Sequence, residues 1–189
     1  MTTVINLFGG PGCGKSTTAA LLFAQMKLQG YHVELVREYV KYWAWNDRKV
    51  REWDQLYLLG KQSSYESMLY GKVDYIVTDS PILLAGIFQE YRSNGADKYV
   101  SKAAQSFMAH AEATGVTYKN FLLRRNKPYD PRGRWEDEKE ARNLDDYIEE
   151  YLTLYSGFPP LEISGPNNKR DLEIMQSLGE MKVRDVPSY

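Results

Sequence analysis

Cysteine is nearly missing from this chain. Of 189 residues only Cys13 is one, so no internal disulfide can form, which fits a reducing cytoplasm and not a disulfide-stapled secreted domain. Histidine is almost as scarce: His32 and His110 fall in an expected strand and an expected helix without ligand partners, and read as structural. No run approaches the roughly 18 apolar residues of a membrane span, so no membrane partner is expected. The N-terminus enters an apolar strand at once, so no signal peptide is expected either. Charge of one sign is also absent: 24 Lys and Arg against 25 Asp and Glu leave a net charge of −1. That removes any global pull toward nucleic acid, while leaving room for a local basic groove. There is no internal repeat, low-complexity tract or evident linker, so a single domain over 1–189 is expected, with a loosely held tail at about 184–189.

What is present is concentrated near the start. Gly9-Gly10-Pro11-Gly12-Cys13-Gly14-Lys15-Ser16 is a complete G-x-x-x-x-G-K-[ST] phosphate loop, set between the apolar strand Val4–Phe8 and an amphipathic helix. The helix is signalled by Ala19, Leu22, Phe23 and Met26 at i, i+3, i+4 and i+7, with Gly30 closing the run. Glycines let successive backbone N–H groups converge on a polyphosphate, and the helix N-terminus adds the positive end of its dipole. The pattern implies a nucleoside triphosphate, with Lys15 reaching the β- and γ-phosphates and the Ser16 hydroxyl on Mg²⁺. The expected nucleotide contacts are Gly10, Pro11, Gly12, Cys13, Gly14, Lys15, Ser16 and Thr17, with Arg124 from a later basic segment; the expected cofactors are ATP and Mg²⁺.

Strands and helices alternate along the rest of the chain. Further strands are predicted at 31–36, 72–78, 116–123 and 159–163, and helices at about 39–70, 82–91, 96–113 and 167–178. Another helix carries Ala141, Leu144, Ile148, Tyr151, Leu152 and Tyr155 on one face. This alternation predicts a three-layer α/β fold of the P-loop NTPase or kinase class, with a mainly parallel five-stranded sheet. Ligands of such sheets bind beyond the carboxyl ends of the strands. Glu38, Asp79 and Arg124 all follow strands and are therefore expected on one rim with the phosphate loop.

Asp79 ends an apolar strand, as a Walker B carboxylate does, and could hold Mg²⁺ opposite Ser16. Because Pro81 suits a first helical position, Asp79 could equally cap a helix. Glu38 is a candidate base for the acceptor hydroxyl, with Asp79 as its competitor. Tyr39, Tyr42, Trp43 and Trp45 could stack a planar acceptor, or Tyr39, Tyr42 and Trp43 could pack a helix face; Gln55 and Gln62 carry amide edges able to read a base. The segment from Arg124 to Arg134 holds five cations in eleven residues, broken by prolines and glycine. It reads as a basic lid, about 124–137, whose Arg132 and Arg134 would stabilise charge on a transferring phosphoryl group and exclude water.

Together the segments N-L-F-G-G-P-G-C-G-K-S-T-T at 6–18, R-E-Y at 37–39, T-D-S-P at 78–81, R-x-x-K-P-Y-x-x-x-G-R ending at Arg134, and Leu144-Asp145 resemble the P-loop kinase domain of the NadR type, whose members phosphorylate nicotinamide riboside. The chain is especially similar to compact bacteriophage kinases of this kind, among them the 5-hydroxymethyl-deoxyuridine DNA kinases of thymidine hypermodification. The resemblance implies an ATP-dependent kinase acting on a nucleoside-like alcohol, free or within DNA, in the cytoplasm of a host cell. It departs from NadR in lacking the fused adenylyltransferase and DNA-binding regions, and a DNA acceptor would need basic residues gathered locally, such as Lys41, Arg48, Lys49 and Arg51. Three functions are therefore carried forward: a kinase for 5-hydroxymethyluracil in DNA, a kinase for a small nucleoside or nucleotide, and a nucleotide-gated regulatory ATPase. A mechanical ATPase is not expected, since only one short helix follows the last strand.

Overall fold

Short runs become strands, the inner ones because both of their faces are covered and the outer ones by pairing along the sheet edge. In the computed structural model, which describes residues 1–51, 53–154 and 157–179, the order is β1 (Thr2–Phe8), α1 (Lys15–Leu28), β2 (Val33–Val36), α2 (Lys41–Trp45), α3 (Asp54–Ser67), β3 (Tyr75–Thr78), α4 (Ile82–Arg92), α5 (Tyr99–Ala113), β4 (Val116–Leu123), α6 (Glu138–Leu154), β5 (Leu161–Ile163) and α7 (Arg170–Ser177). The sheet order is β2-β3-β1-β4-β5, and every neighbouring pair is parallel. Alternation along each strand sends Val4, Phe8, Ile76, Tyr118 and Leu122 into a core shared with α3, α4, α5 and α6. Ile5, Leu7, Val33, Val77, Phe121 and Leu123 face the opposite layer, under α1 and α7. Two cores on two faces make the three layers anticipated above.

Register between the two central strands is fixed by a polar pair inside the apolar sheet. Asn6 Nδ2 donates to Asn120 Oδ1 at 2.8 Å, and these residues are direct partners in the β1–β4 ladder. Slipping one residue would bury both amides unpaired and turn each apolar set to the wrong face. Strand order reverses direction at β1, with β3 on one side and β4 on the other. The loop leaving β1 therefore opens into the crevice where such sheets take ligands.

Element boundaries differ from the sequence reading where turns intervene. The predicted helix over 39–70 is two helices, separated by residues 46–53, with Asp47 in the left-handed region (φ 52°). The third strand starts at Tyr75 instead of Lys72, because Lys72 N–H donates back to Leu69 in a turn. The second begins at Val33, since Tyr31 N–H still closes the preceding helix on Met26. Segment 124–137 contains neither helix nor strand. Tyr155 and the tail at 184–189 lie outside the described residues.

Candidate active site

Between β1 and α1 the chain turns through Gly12 (φ 81°) and Gly14 (φ 110°), conformations that a side chain would strain. A Cβ at Gly12 would also fall 3.1 Å from the Tyr129 ring, and one at Gly14 3.0 Å from Asn167 Oδ1. Lys15 folds back across the loop, its Nζ donating to Gly9 O at 2.6 Å and Gly10 O at 3.1 Å. Ser16 and Thr17, in the first turn of α1, are exposed to a cleft of about 230 Å³ that Pro11, Gly12, Gly14 and Lys15 also line. Cys13 corrects one expectation in part. Its side chain is fully buried in the core under α1, its N–H donates to Gly10 O at 3.3 Å, and it does not line the cleft.

The rim carboxylates are joined. Glu38 N–H donates to Asp79 Oδ1 at 2.9 Å, linking the segments that leave β2 and β3, which are sheet neighbours. Asp79 is buried, yet it caps no helix: the residue preceding α4 is Pro81, and no side chain bonds that helix end. Burial raises the Glu38 carboxyl above its ordinary value; Lys15 and Lys41 pull against that rise, and Asp79 adds to it. A carboxylate moved up in this way is better matched to accepting a proton near neutral pH.

The donor set fits magnesium. Among the described residues no cluster of three or more His, Cys, Asp or Glu could hold a metal by itself. Magnesium in nucleotide sites is held by one or two side-chain oxygens together with substrate phosphates and water. The exposed Ser16 hydroxyl and the second oxygen of Asp79, which bonds no described residue, supply that number.

Beyond the phosphate loop the cleft runs between α2, α3 and α4. Gln55 and Gln62 lie in its wall, both buried, with Leu58, Leu84 and Phe88 as apolar neighbours. Gln62 Nε2 reaches Thr78 Oγ1 at 3.4 Å, while Gln55 bonds no described residue. Tyr39 lines the same cleft. The other three proposed stacking residues, Tyr42, Trp43 and the exposed Trp45, do not. Trp43 is buried, stacked on Tyr57 at 6.0 Å with the Arg48 guanidinium 3.4 Å over its ring, and Tyr42 is 63% exposed. Helix packing and solvent take these rings because only one face of a five-residue helix can meet the cleft.

The basic segment divides in a way composition does not reveal. Arg134 lines the cleft and donates to Asp130 O. Arg132 points to solvent, 84% exposed and paired with Asp130 at 2.7 Å. Arg124, expected at the nucleotide, is engaged elsewhere: Glu149 and Glu162 hold its guanidinium, and it does not line the cleft. The attraction of two carboxylates on neighbouring elements outweighs any reach toward the loop. Its neighbour Arg125 goes inward instead, bonding Asp145 at 2.6 Å and Pro11 O at 2.8 Å. Lys127, Trp135 and Glu136 also line the cleft, with Arg92 3.7 Å from Glu136. Of these, Arg125 and Lys127 were visible only as parts of a charge run. Arg92, on α4, carried no signal in the sequence.

Among the described residues, no helix is long and apolar enough to cross a membrane. No curated protein matches the sequence. Solved structures do match the fold. Deoxyadenosine kinase from M. mycoides with dCMP and a flexible dCDP bound aligns with a TM-score of 0.59 at 20% identity, covering 94% of this chain and 100% of that one. The Mycobacterium tuberculosis APS kinase CysC in complex with AMPPNP and APS aligns with a TM-score of 0.55 at 14% identity, covering 94% and 98%. At these identities the likeness is one of fold. The family model described as an AAA domain, AAA_28, matches residues 4–170, the whole span from β1 to the start of α7, and the chain belongs to that family.

Proposed function

We propose that this protein is an ATP-dependent kinase that transfers the γ-phosphoryl group to a hydroxyl of a nucleoside-like acceptor. The observation that carries the reading is the shared rim: the phosphate loop with Lys15, Glu38 and Arg134 line one cleft that continues past the loop between Gln55, Leu58 and Phe88, and the buried Asp79 is tied to that rim through the Glu38 N–H. The loop amides and Lys15 would hold the ATP polyphosphate, and Ser16 and Asp79 would hold Mg²⁺, which would supply neutralisation of phosphate charge. Glu38 accepts the acceptor's hydroxyl proton as its oxygen attacks the γ-phosphorus. The bond from that phosphorus to the β–γ bridging oxygen breaks, and ADP leaves. Arg134 faces the charge on the moving group, with Arg132 swinging in from the lid as a second donor.

For the acceptor we favour 5-hydroxymethyluracil within DNA, giving 5-phosphomethyl-deoxyuridine. Support comes from the resemblance to phage kinases of this type, from the buried Gln55 and Gln62 amides that match an imide edge, and from the Tyr39 ring in the lining of the same cleft. The apolar wall of Leu58, Leu84 and Phe88 suits a free nucleoside or nucleotide equally, and this is the second reading. Incubation with γ-labelled ATP and either hydroxymethyluracil-containing DNA or free nucleosides separates them. Label on DNA is the expected result. Label on the small molecule alone replaces the acceptor, and release of inorganic phosphate alone overturns the kinase in favour of a regulatory ATPase.

A further inference from the structure

Two buried arginines contact the phosphate loop from behind and take no part in the chemistry above. Arg170 is fully buried and forms no ion pair among the described residues. Its guanidinium donates to three carbonyls instead: Cys13 O at 2.8 Å, Gly165 O at 2.9 Å, and Arg124 O. The side chain of Arg125 is 5% exposed. Its Nε donates to Asp145 Oδ2 at 2.6 Å and its Nη2 to Pro11 O at 2.8 Å, while Asp145 Oδ1 accepts from Gly10 N–H at 2.7 Å. Burying a guanidinium is costly unless its donors are satisfied. All three Arg170 nitrogens are satisfied, Arg125 leaves only Nη1 without a partner among the described residues, and the acceptors include two carbonyls of the nucleotide loop itself.

A planar trans peptide points its C=O and the following N–H in opposite directions. Drawing Pro11 O toward Arg125 therefore turns Gly12 N–H away from that arginine. Drawing Cys13 O toward Arg170 does the same for Gly14 N–H. Neither amide donates to a described residue. We propose that Arg125, held by Asp145, and Arg170 are positioning residues of the nucleotide site, each pulling one loop carbonyl outward so that the next amide faces the polyphosphate. The proposal rests on reading the loop as a triphosphate site. Preset amides need no reorganisation when the anion arrives, so the gain is realised as nucleotide affinity.

The test titrates Mg-ADP into ¹⁵N-labelled wild type, Arg125→Met, Arg125→Lys, Asp145→Asn and Arg170→Met, following the Gly12 and Gly14 amide signals, with calorimetry and thermal melts alongside. Loss of a charge-assisted bond to the loop should weaken ADP binding by about ten- to a hundredfold. In Arg125→Met and Asp145→Asn the binding shift of Gly12 should shrink while that of Gly14 persists; Arg170→Met should reverse the pattern. Arg125→Lys should restore part of the affinity, since an ammonium can still donate to Pro11 O. A folded Arg125→Met with wild-type ADP affinity overturns the proposal, as does equal disturbance of both amides, which would mark general damage. If Arg170→Met does not fold, the Arg125 and Asp145 variants decide alone. Failure of the wild type to bind Mg-ADP would instead sink the phosphate-loop reading beneath it.

Discussion

Glu66, on the buried face of α3, should make this protein less stable as pH rises through neutrality. Its side chain is fully buried, Oε1 accepts the Tyr70 hydroxyl at 2.6 Å, and Oε2 has no partner among the described residues. Tyr70 in turn meets the Tyr118 hydroxyl at 2.9 Å. Burial raises the carboxyl from 4.5 to about 7, against the opposing hydrogen bonds of both tyrosines. A group whose folded value is raised contributes stability below its unfolded value and loses it as pH climbs through the folded one. At about 1.4 kcal/mol per pH unit, the rise corresponds to about 3 kcal/mol lost between mildly acidic and mildly alkaline solution. For a chain of this length that is about 6–12 °C in Tm. Glu66→Gln keeps an acceptor for Tyr70 and cannot titrate. Urea melts of both proteins from pH 4.5 to 8.5 should therefore diverge, the variant gaining on wild type as pH rises while other titrating groups cancel. A stability difference constant within about 0.5 kcal/mol across that range would refute the reasoning.

The remaining predictions concern the site. Lys15→Ala should abolish transfer and weaken triphosphate binding; wild-type turnover would show that the loop is not the donor site. Glu38→Gln should lower kcat with ATP affinity kept, and an unchanged kcat would pass the base role to Asp79. Because Lys41 holds the Glu38 carboxyl down, Lys41→Met should move the acid limb of kcat/KM to higher pH, measured as a pH–rate profile. Arg134→Lys should slow transfer on the order of a hundredfold, far more than it weakens ATP binding. Arg124→Gln should leave ATP affinity unchanged, and a large loss would return that residue to the nucleotide.

How much of this was legible in the chain varied with the range of the interactions involved. The phosphate loop, all five strands, the parallel sheet, and the order of helices around it could be read from local pattern. The reason is that a glycine-rich turn between an apolar strand and an amphipathic helix is defined by neighbouring residues. The rim could be read too, since parallel strands bring all their carboxyl ends to one edge whatever their order. That argument placed Glu38 and Asp79 together, though not the 2.9 Å bond between them. It did not reach Tyr42 and Trp43, for which the sequence left ligand stacking and helix packing both open, because which face met the cleft depended on how α2 lies against α3.

The basic lid shows where local reading ends. Arg124 and Arg125 are adjacent and chemically identical, yet one is held by Glu149 and Glu162 and the other sits against the phosphate loop. Which of the two turns toward the loop depends on where the carboxylates of α6 and β5 lie. Arg170 is further still, 157 residues from the Cys13 carbonyl it holds. The sequence by itself determined where the glycine-rich phosphate loop stands, between the first strand and the first helix, because that motif is contiguous. Only the tertiary structure decided which cations serve the loop, which carboxyl titrates near neutrality, and which rings face the cleft, because each depends on burial and on partners supplied from distant parts of the chain.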